Sequence, residues 1–409
     1  PPPGGPSRAM EPTTPPREIC IVMLSALGDA VHVLPVVNAL KRAWPETRIT
    51  WVVQPVPYLL VKDHPAVDRL VVFRRRKGAG AWRSFRDAAR SLRERRFDVL
   101  LALQVYAKAG LLVGLARADR KIGFDRRRAR DLNWLVTNER IRPHPVQHVQ
   151  DQYFEFLEHL GVSPEPVEWR IPITDAERAA QRAFFEGLDR PACAVVVGTS
   201  KPEKNWLPER YARALEALES DFGLRPVLVG GPSAVERAMA DEVLSLTRAR
   251  VVDTLGDDLR RLIWLLDGAR LVISPDTGPL HLARALDTPV VGLYGYTNPK
   301  RYGPYGRYQD LVVDGYAAYP GDAYPPSMEY RLGGMALVFD PQGEYDRVKG
   351  AWVVDEAGEN DLVIVAGNAG WLDPMLAAWA RARPRTWPTP PAIAPVRCGA
   401  MPATRLPGR

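Results

Sequence analysis

The sequence contains no run of about 18 apolar residues, the length with which a helix crosses a bilayer. Its proline-rich opening, residues 1–16, lacks the charged start and apolar centre of a signal peptide. The 409 residues include three cysteines, at positions 20, 193 and 398, and none stands in a CxxC pair or a Cys/His cluster. These absences argue against a membrane-spanning chain, a disulfide-linked fold and a zinc site. We therefore expect a soluble protein of the reducing cytoplasm.

Positive charge is concentrated in the first part of the chain. Residues 1–150 hold 27 Lys and Arg against 13 Asp and Glu, whereas residues 151–409 hold 28 against 35. Basic clusters at 74–77, 93–96 and 126–130 attract anionic partners. No RNP, zinc-finger or helix-turn-helix signature accompanies them, so nucleic acid is not the expected partner. The clusters indicate a phosphorylated acceptor or an anionic membrane surface, unless they form an ordinary solvated surface.

Short β-branched segments alternate with helix-length amphipathic segments in both halves of the chain, which is typical of parallel sheets flanked by helices. Strands are predicted at residues 19–24, 48–54, 69–73, 98–103, 192–197, 225–229, 250–253, 271–274 and 289–294. Helices are predicted at residues 81–96, 148–160, 207–218, 233–246, 258–266 and 279–286. The predicted fold class is α/β, with two Rossmann-like, doubly wound parallel-sheet domains.

The predicted domain boundary lies in the proline-rich stretch 163–172, after a helix that ends at Gly161. The resulting units are a disordered N-terminal extension (1–17), a first domain (18–172), a second domain (173–335) and an atypical, partly disordered tail (336–409). In doubly wound sheets, ligands bind beyond the carboxyl ends of the strands. We therefore expect the functional residues in the loops that follow the strands.

The segment 274–281 (SPDTGPLH) lies between a buried strand and a helix. Gly278 permits a tight turn, a proline follows at the first helical position, and the free amides of the helix start can bind phosphate. His281 comes one turn later, within reach of a phosphate oxygen. In the alternative interpretation, Asp276 or Thr277 only caps the helix and His281 is a surface residue.

Two other loops of the second domain carry polar groups. Residues 198–206 (GTSKPEKNW) supply hydroxyl and ammonium groups that suit a departing diphosphate, although they are also compatible with an ordinary polar loop. Residues 230–233 (GGPS) begin a helix and allow close approach to a nucleotide, although Gly-Gly-Pro is also common in turns.

In the first domain, residues 25–32 (SALGDAVH) follow the first strand and open a helix. This segment lacks GxGxxG spacing, which disfavours a nicotinamide or flavin dehydrogenase. Asp29 stands at the helix start, where a carboxylate is favoured electrostatically. It is therefore either a simple N-terminal cap or a general base that faces the cleft.

Five segments of the chain together resemble one family. They are residues 24–35 (LSALGDAVHVLP), 104–108 (QVYAK), 204–211 (KNWLPERY), 274–283 (SPDTGPLHLA) and 292–304 (GLYGYTNPKRYGP). In order and spacing they are similar to the bacterial heptosyltransferases, glycosyltransferase family 9, over residues 18–335. The resemblance implies the GT-B architecture, in which two Rossmann-like domains face each other across a cleft. It implies an ADP-heptose-like donor on the second domain and a lipopolysaccharide-core or related surface-glycan acceptor on the first.

The resemblance also implies roles for individual residues. Asp29 would deprotonate the acceptor hydroxyl as it attacks the anomeric carbon with inversion. The donor would be bound by Thr199, Ser200, Lys204, Gly231, Glu236, Asp276, Thr277, Gly278 and His281. The acceptor would be bound by Ser25, Gln104, Lys108 and Arg130. The last two residues fit the basic character of the first domain.

The sequence contains no Asp-x-Asp triplet, with which metal-dependent sugar transferases commonly hold a divalent cation. Amides, a lysine and a helix terminus would then meet the charge on the leaving diphosphate. We expect no cofactor, no metal and activity that survives chelation. The expected partners are the nucleotide-sugar donor and an anionic glycolipid or glycan, with peripheral contact at the inner face of the cytoplasmic membrane left open.

Two other functions are compatible with these residues. One keeps the fold but uses another nucleotide sugar and a protein or lipid acceptor. The other is a noncatalytic nucleotide-sugar-binding or regulatory protein, which would have little need of a base at Asp29. Assays of hydrolysis or transfer of ADP-sugars would separate the three.

Overall fold

A computed structural model of the protein describes residues 15–76, 78–131, 133–199, 201, 204–256, 258–316 and 325–327. It contains two six-stranded sheets in which neighbouring strands are parallel. The first sheet consists of β1 Glu18–Val22, β2 Arg48–Val53, β3 Arg69–Val72, β4 Phe97–Ala102, β5 Ala118–Gly123 and β6 Glu139–Arg140. The second consists of β7 Ala192–Val195, β8 Arg225–Leu228, β9 Val252–Asp253, β10 Leu271–Pro275, β11 Val290–Tyr294 and β12 Val312–Asp314.

Helices connect most of these strands. In the first half they are α1 Leu27–Ala43, α2 Pro55–Val61, α3 Ala79–Arg93, α4 Ala107–Leu115 and α5 Val149–His159. In the second half they are α6 Asp175–Glu186, α7 Pro208–Ser220, α8 Ala234–Leu246, α9 Leu259–Gly268, α10 Gly278–Ala285 and α11 Pro299–Tyr302. Among the described residues, every helix is too short or too polar to span a bilayer.

Both sheets have the same strand order. The first runs β3-β2-β1-β4-β5-β6 and the second runs β9-β8-β7-β10-β11-β12. In each sheet the direction of winding reverses between the first and fourth strands of that half, and a crevice opens there beyond the carboxyl ends of the strands. The predicted α/β class with two doubly wound sheets is confirmed.

The central strand of the first sheet is buried on both faces. Its residues Ile19 and Ile21 lie in one apolar cluster with α1 and α5, and Cys20 and Val22 lie in a second cluster with α3 and α4. All four side chains are fully buried. A parallel strand covered by helices on both sides reads as a continuous apolar run, which is why EICIV was recognisable in the sequence.

Three strands were missed by the sequence prediction. β5 and β6 carry charged residues that form a cross-strand ion pair, in which Arg120 Nη2 lies 2.7 Å from Glu139 Oε1. This charge hides the apolar pattern that identifies a strand. β12 is only three residues long. The nine strands that were predicted are all present, with ends that differ by a few residues.

The connection between the two sheets runs through α5 and α6. Helix α5 packs on α1 of the first half, and α6 packs on α9 of the second. The predicted boundary after residue 172 falls between these helices, and it remains a prediction. The predictions for residues 1–14 of the N-terminal extension and for the tail 336–409 lie outside the described residues.

Candidate active site

The first turns of α1 and α10 lie against each other where the two sheets face. A Cβ atom added at Gly28 would lie 2.9 Å from His281 Cδ2, and one added at Gly278 would lie 3.0 Å from Leu27 Cδ2. Both glycines therefore allow a close approach that a side chain would block. Each helix follows a strand next to the reversal point of its sheet, and each helix start carries free amides and partial positive charge.

Asp29 is half-buried in the first turn of α1. Its Oδ2 accepts a hydrogen bond from the Ala26 amide at 2.9 Å, and its Oδ1 accepts one from the Tyr153 hydroxyl at 3.2 Å. Burial raises the pKa of Asp29, although these two hydrogen bonds and the charge of His281 partly offset the effect. A raised pKa makes the carboxylate a stronger base, which suits a general base. The side chain thus caps its helix and also faces His281 of the second half.

Asp276 follows β10 and is 6% exposed. Lys204 Nζ donates to Asp276 Oδ2 at 2.5 Å and to the Asp276 carbonyl at 3.1 Å, and His281 Nε2 lies 3.4 Å from Asp276 Oδ1. Burial alone would raise the pKa of Asp276, but the neighbouring Lys204 and His281 hold it well below its usual range. The carboxylate therefore stays ionised and holds a cation beside the first turn of α10.

Three buried histidines line the contact between the two halves. The His32 ring lies 4.5 Å from the His281 ring and 6.0 Å from the His148 ring, measured between centroids. His32 Nδ1 contacts Gln150 Oε1 at 3.0 Å, while its Nε2 is buried and has no hydrogen-bond partner among the described residues. Burial lowers the pKa of His32 well below its usual value, so this imidazole is neutral at neutral pH. Of the three histidines, only His281 was predicted as a site residue. The spacing of Asp29 and His32, three residues apart on one helix face, was the signal that could have indicated His32.

His148 makes the contact between halves sensitive to acid. It caps α5, because its Nδ1 accepts from the Gln150 amide at 3.0 Å, and its Nε2 donates to the Gly303 carbonyl at 3.0 Å. Burial lowers the pKa of His148 from 6.5 to about 4, against the opposing effect of the Gly303 hydrogen bond. A lowered histidine pKa means that the unfolded chain binds the proton more readily, so stability is lost as the pH falls from 6.5 towards 4.

We expect this histidine to remove about 2 kcal/mol of unfolding free energy between about pH 7 and pH 5. The variant His148→Asn keeps a capping acceptor at the start of α5 but does not titrate. Urea unfolding at both pH values should therefore show a smaller acid loss in His148→Asn than in the parent. His144→Asn is the control, since His144 lies at the surface beside Glu158 at 3.4 Å. An equal acid loss in His148→Asn and the parent would contradict the assignment.

The loop after β7 is organised by its own side chains. The Thr199 amide donates to Asn205 Oδ1 at 2.8 Å, and Thr199 Oγ1 donates to the Lys201 carbonyl at 2.6 Å. Thr199 and Lys204 both belong to the loop that follows the carboxyl end of β7, next to the reversal point of the second sheet. Ser200 lies outside the described residues.

The Glu236 carboxylate accepts hydrogen bonds at the start of α8. Its Oε1 accepts from the Gly231 amide at 2.8 Å and its Oε2 accepts from the Ser233 hydroxyl at 2.6 Å, while the Glu236 amide donates back to Ser233 Oγ. This is a capping arrangement in which the carboxylate has two donors. The predicted contact of the nucleotide-sugar donor with Gly231 and Glu236 would therefore replace these hydrogen bonds or add to them. This contact remains a prediction.

Thr277 does not cap α10 with its side chain, contrary to the alternative considered for this segment. Its hydroxyl lies 3.0 Å from Ser274 Oγ and donates to the Pro275 carbonyl at 3.3 Å. Among the described residues, the start of α10 therefore has no side-chain cap, which suits the binding of an anion by its first amides.

The predicted acceptor residues divide into two kinds. The buried Gln104 carboxamide accepts from the Leu24 amide at 3.0 Å and donates to the Ser25 carbonyl at 2.5 Å, so it ties the ends of β1 and β4 together. Lys108 and Arg130 are exposed. Their contact with an acceptor remains a prediction, as does that of Ser25 and Gln104.

The basic cluster 126–130 also contains structural arginines. Arg128 forms ion pairs with Asp125 and with Glu155, whose Oε2 lies 2.6 Å from Arg128 Nη2. Arg126 lies over the Trp134 ring, 4.7 Å from its centroid. Only part of the charge counted in the sequence is therefore free to meet an anionic partner.

The described residues contain no group of three or more His, Cys, Asp or Glu side chains placed to hold a metal ion. Carboxylate, imidazole and ammonium groups instead come from loops and helix starts next to both reversal points. The arrangement can bind an anionic ligand and can accept a proton near it.

Solved structures share this architecture. The heptosyltransferase WaaC of Escherichia coli, solved with ADP-2-deoxy-2-fluoro heptose, aligns over 72% of this chain and 92% of its own with a TM-score of 0.58 and 26% identity. A glycosyl transferase family 9 protein from Veillonella parvula aligns over 73% and 87% with a TM-score of 0.65 and 24% identity, which supports the fold alone. The fold and the site together define a glycosyltransferase of the GT-B class.

Sequence comparison identifies the family. Residues 85–329 match the model of glycosyltransferase family 9 (heptosyltransferase). The chain is 31% identical over 301 residues to the lipopolysaccharide core heptosyltransferase OpsX of Haemophilus influenzae, covering 73% of this chain and 85% of that protein. It is 31% identical over 306 residues to lipopolysaccharide heptosyltransferase 1 of Escherichia coli K12, covering 71% and 92%. The chain belongs to glycosyltransferase family 9, as its motifs predicted.

Proposed function

We propose that the protein is an inverting, metal-independent heptosyltransferase that transfers heptose, or a similar sugar, from an ADP-heptose-like donor to lipopolysaccharide core or a related surface glycan. One observation supports this above all. Asp29, at the start of α1, is close enough to His281 and Asp276 of the second half for their charges to affect its pKa, and Lys204 is paired to Asp276. The relatives named above are lipopolysaccharide heptosyltransferases, and one solved relative binds an ADP-heptose analogue.

In this mechanism Asp29 takes the proton of the acceptor hydroxyl. The hydroxyl oxygen attacks the anomeric carbon from the face opposite the leaving group, a new C–O bond forms and the bond to the diphosphate breaks, so the configuration inverts. The Ala26 amide and the Tyr153 hydroxyl hold the carboxylate in place while burial raises its pKa. A positioned base of this kind contributes about 10²–10⁴-fold to a rate.

The leaving diphosphate gains charge as the bond breaks. Lys204 supplies an ammonium group, and the first turn of α10 supplies free amides next to it. Asp276 holds Lys204 in position before the donor arrives, so little reorganisation is needed during the reaction. Because cationic and amide groups meet the charge, we propose that no metal is required.

The acceptor would lie on the basic first half, at the inner face of the cytoplasmic membrane. Lys108 and Arg130 are exposed near the loops that follow β4 and β5. Helix α3 adds the exposed Arg83 and Arg86, and its Trp82 is 72% exposed. Basic and aromatic side chains on one helix are typical of contact with an anionic lipid surface.

A binding screen followed by a transfer assay tests this function. We expect ADP-heptose to stabilise the protein by about 2.7 kcal/mol at about a hundredfold excess over Kd, and to raise its Tm by several degrees. UDP-sugars and GDP-sugars are the controls. We then expect heptose transfer to heptose-deficient lipopolysaccharide core held in anionic vesicles, with the protein sedimenting with the vesicles, and an unchanged rate in EDTA.

Each other outcome rejects a stated part of the proposal. Stabilisation by a different nucleotide sugar would reject heptose as the donor sugar. Binding without transfer to any acceptor would indicate a noncatalytic binding protein. Loss of activity in EDTA that magnesium restores would show that a metal is needed, and transfer without vesicle sedimentation would reject membrane contact.

A further inference from the structure

The Tyr153 hydroxyl is a hydrogen-bond donor to Asp29 that comes from a helix other than α1, which carries Asp29. Tyr153 lies in α5, is 5% exposed, and donates to Asp29 Oδ1 at 3.2 Å. Among the described residues, Oδ1 has no other hydrogen-bond donor. Burial and the charge of Asp29 raise the pKa of Tyr153 well above its usual value, so the hydroxyl keeps its proton and acts as a donor.

Helix α5 is held in place from the second half of the chain. Arg301 donates to the Gln147 carbonyl at 2.9 Å and to Gln152 Oε1 at 3.2 Å. Tyr305 donates to Asp151 Oδ1 at 2.6 Å. The His148 contact with the Gly303 carbonyl joins the same segment to the start of α5.

We propose that Tyr153 is a positioning residue for the base: its hydroxyl orients the Asp29 carboxylate towards the gap and favours its ionised form. This inference rests on the proposed function for the role of Asp29. The contacts of Arg301 and Tyr305 fix the start of α5, the helix that carries Tyr153. The second half of the protein, which carries the donor loops, thus helps to set the state of the base on the first half.

The variant Tyr153→Phe removes the hydroxyl and keeps the ring. Because a hydrogen bond to a carboxylate stabilises its charged form, its loss should raise the pKa of Asp29 by about one unit. The acid limb of kcat against pH should therefore move up by about one pH unit. Transfer below this limb should fall about tenfold, and transfer above it should change little. Replacement of Tyr153 by 3-fluorotyrosine, whose hydroxyl is more acidic, should move the limb in the opposite direction.

A second readout does not depend on transfer. In protein labelled with [4-¹³C]aspartate, the signal of Asp29 is identified by its loss in Asp29→Asn, and its titration midpoint should rise in Tyr153→Phe. Tyr211→Phe is the matched control, because it also removes a buried hydroxyl, one that donates to the Val196 carbonyl at 3.1 Å. If Tyr153 had a purely structural role, Tyr153→Phe and Tyr211→Phe would both lower Tm. The titration midpoint of Asp29 would then be the same in each variant as in the parent.

The outcomes separate this inference from the proposed function. An unchanged NMR midpoint for Asp29 in Tyr153→Phe overturns the positioning role, whatever the protein transfers. A raised NMR midpoint in a protein without any transfer activity supports the contact and rejects the heptosyltransferase proposal.

Discussion

Replacement of Asp29 by asparagine should reduce sugar transfer by about 10²–10⁴-fold while donor binding changes little. Asparagine has the same shape and its oxygen can still accept from the Ala26 amide, but it cannot take a proton from the acceptor hydroxyl. Because Asp29 lies on the first half and the donor loops on the second, the loss should appear in kcat and leave the Kd for the donor close to that of the parent. Steady-state transfer kinetics and calorimetric titration with the nucleotide sugar measure the two quantities.

Asp98→Asn is the matched control for this experiment. Asp98 also accepts main-chain hydrogen bonds, from the Arg17 amide at 2.6 Å and the Glu18 amide at 2.9 Å, but it lies at the amino end of the first sheet, away from the gap. We expect its kcat to stay within about threefold of the parent, since the change does not touch the reacting groups. If Asp29→Asn retained transfer within about tenfold of the parent, Asp29 would not be the base.

Loss of the Lys204 ammonium should affect both stability and transfer. In Lys204→Met, the buried Asp276 carboxylate loses its cation, and a buried ion pair with one partner removed costs about 3–5 kcal/mol. Transfer should fall by about 10²–10³-fold, the usual effect of removing one group that stabilises developing negative charge. Urea unfolding and transfer kinetics give the two numbers.

The double variant Lys204→Met/Asp276→Asn separates these effects. It removes both charges, so most of the lost unfolding free energy should return, whereas transfer should stay low because the diphosphate still lacks its cation. Recovery of transfer along with stability would mean that Lys204 serves only to pair with Asp276. Lys41→Met is the control, because the partly exposed Lys41–Asp68 pair, at 3.1 Å, should contribute at most about 1 kcal/mol.

The positions of the site loops could be predicted because each has a local signal. A buried β-branched strand followed by glycine and proline marks the end of β10 and the start of α10, and the order of strands and helices marks a doubly wound sheet. In such a sheet the loops that bear ligands are known once the strands are known. For this reason the sequence alone indicates Asp29, Lys204, Asp276 and His281 as site residues.

Local patterns could not assign the partners of these side chains. Tyr153 is 124 residues from Asp29 along the chain, and His32 meets His281 only because α1 packs on α10. Glu236 illustrates the same point: the spacing of the Gly-Gly-Pro-Ser segment does not say whether the carboxylate caps α8 or remains open to a ligand.

The order of strands, helices and loops is therefore determined by short stretches of sequence, since backbone geometry and the spacing of apolar residues depend on neighbours a few positions apart. The ionisation of Asp29 and Asp276, and the pairing of Lys204 with Asp276, depend on burial and on charges brought together from distant segments. Both depend steeply on distance and solvent access, which only the packing of the two halves establishes.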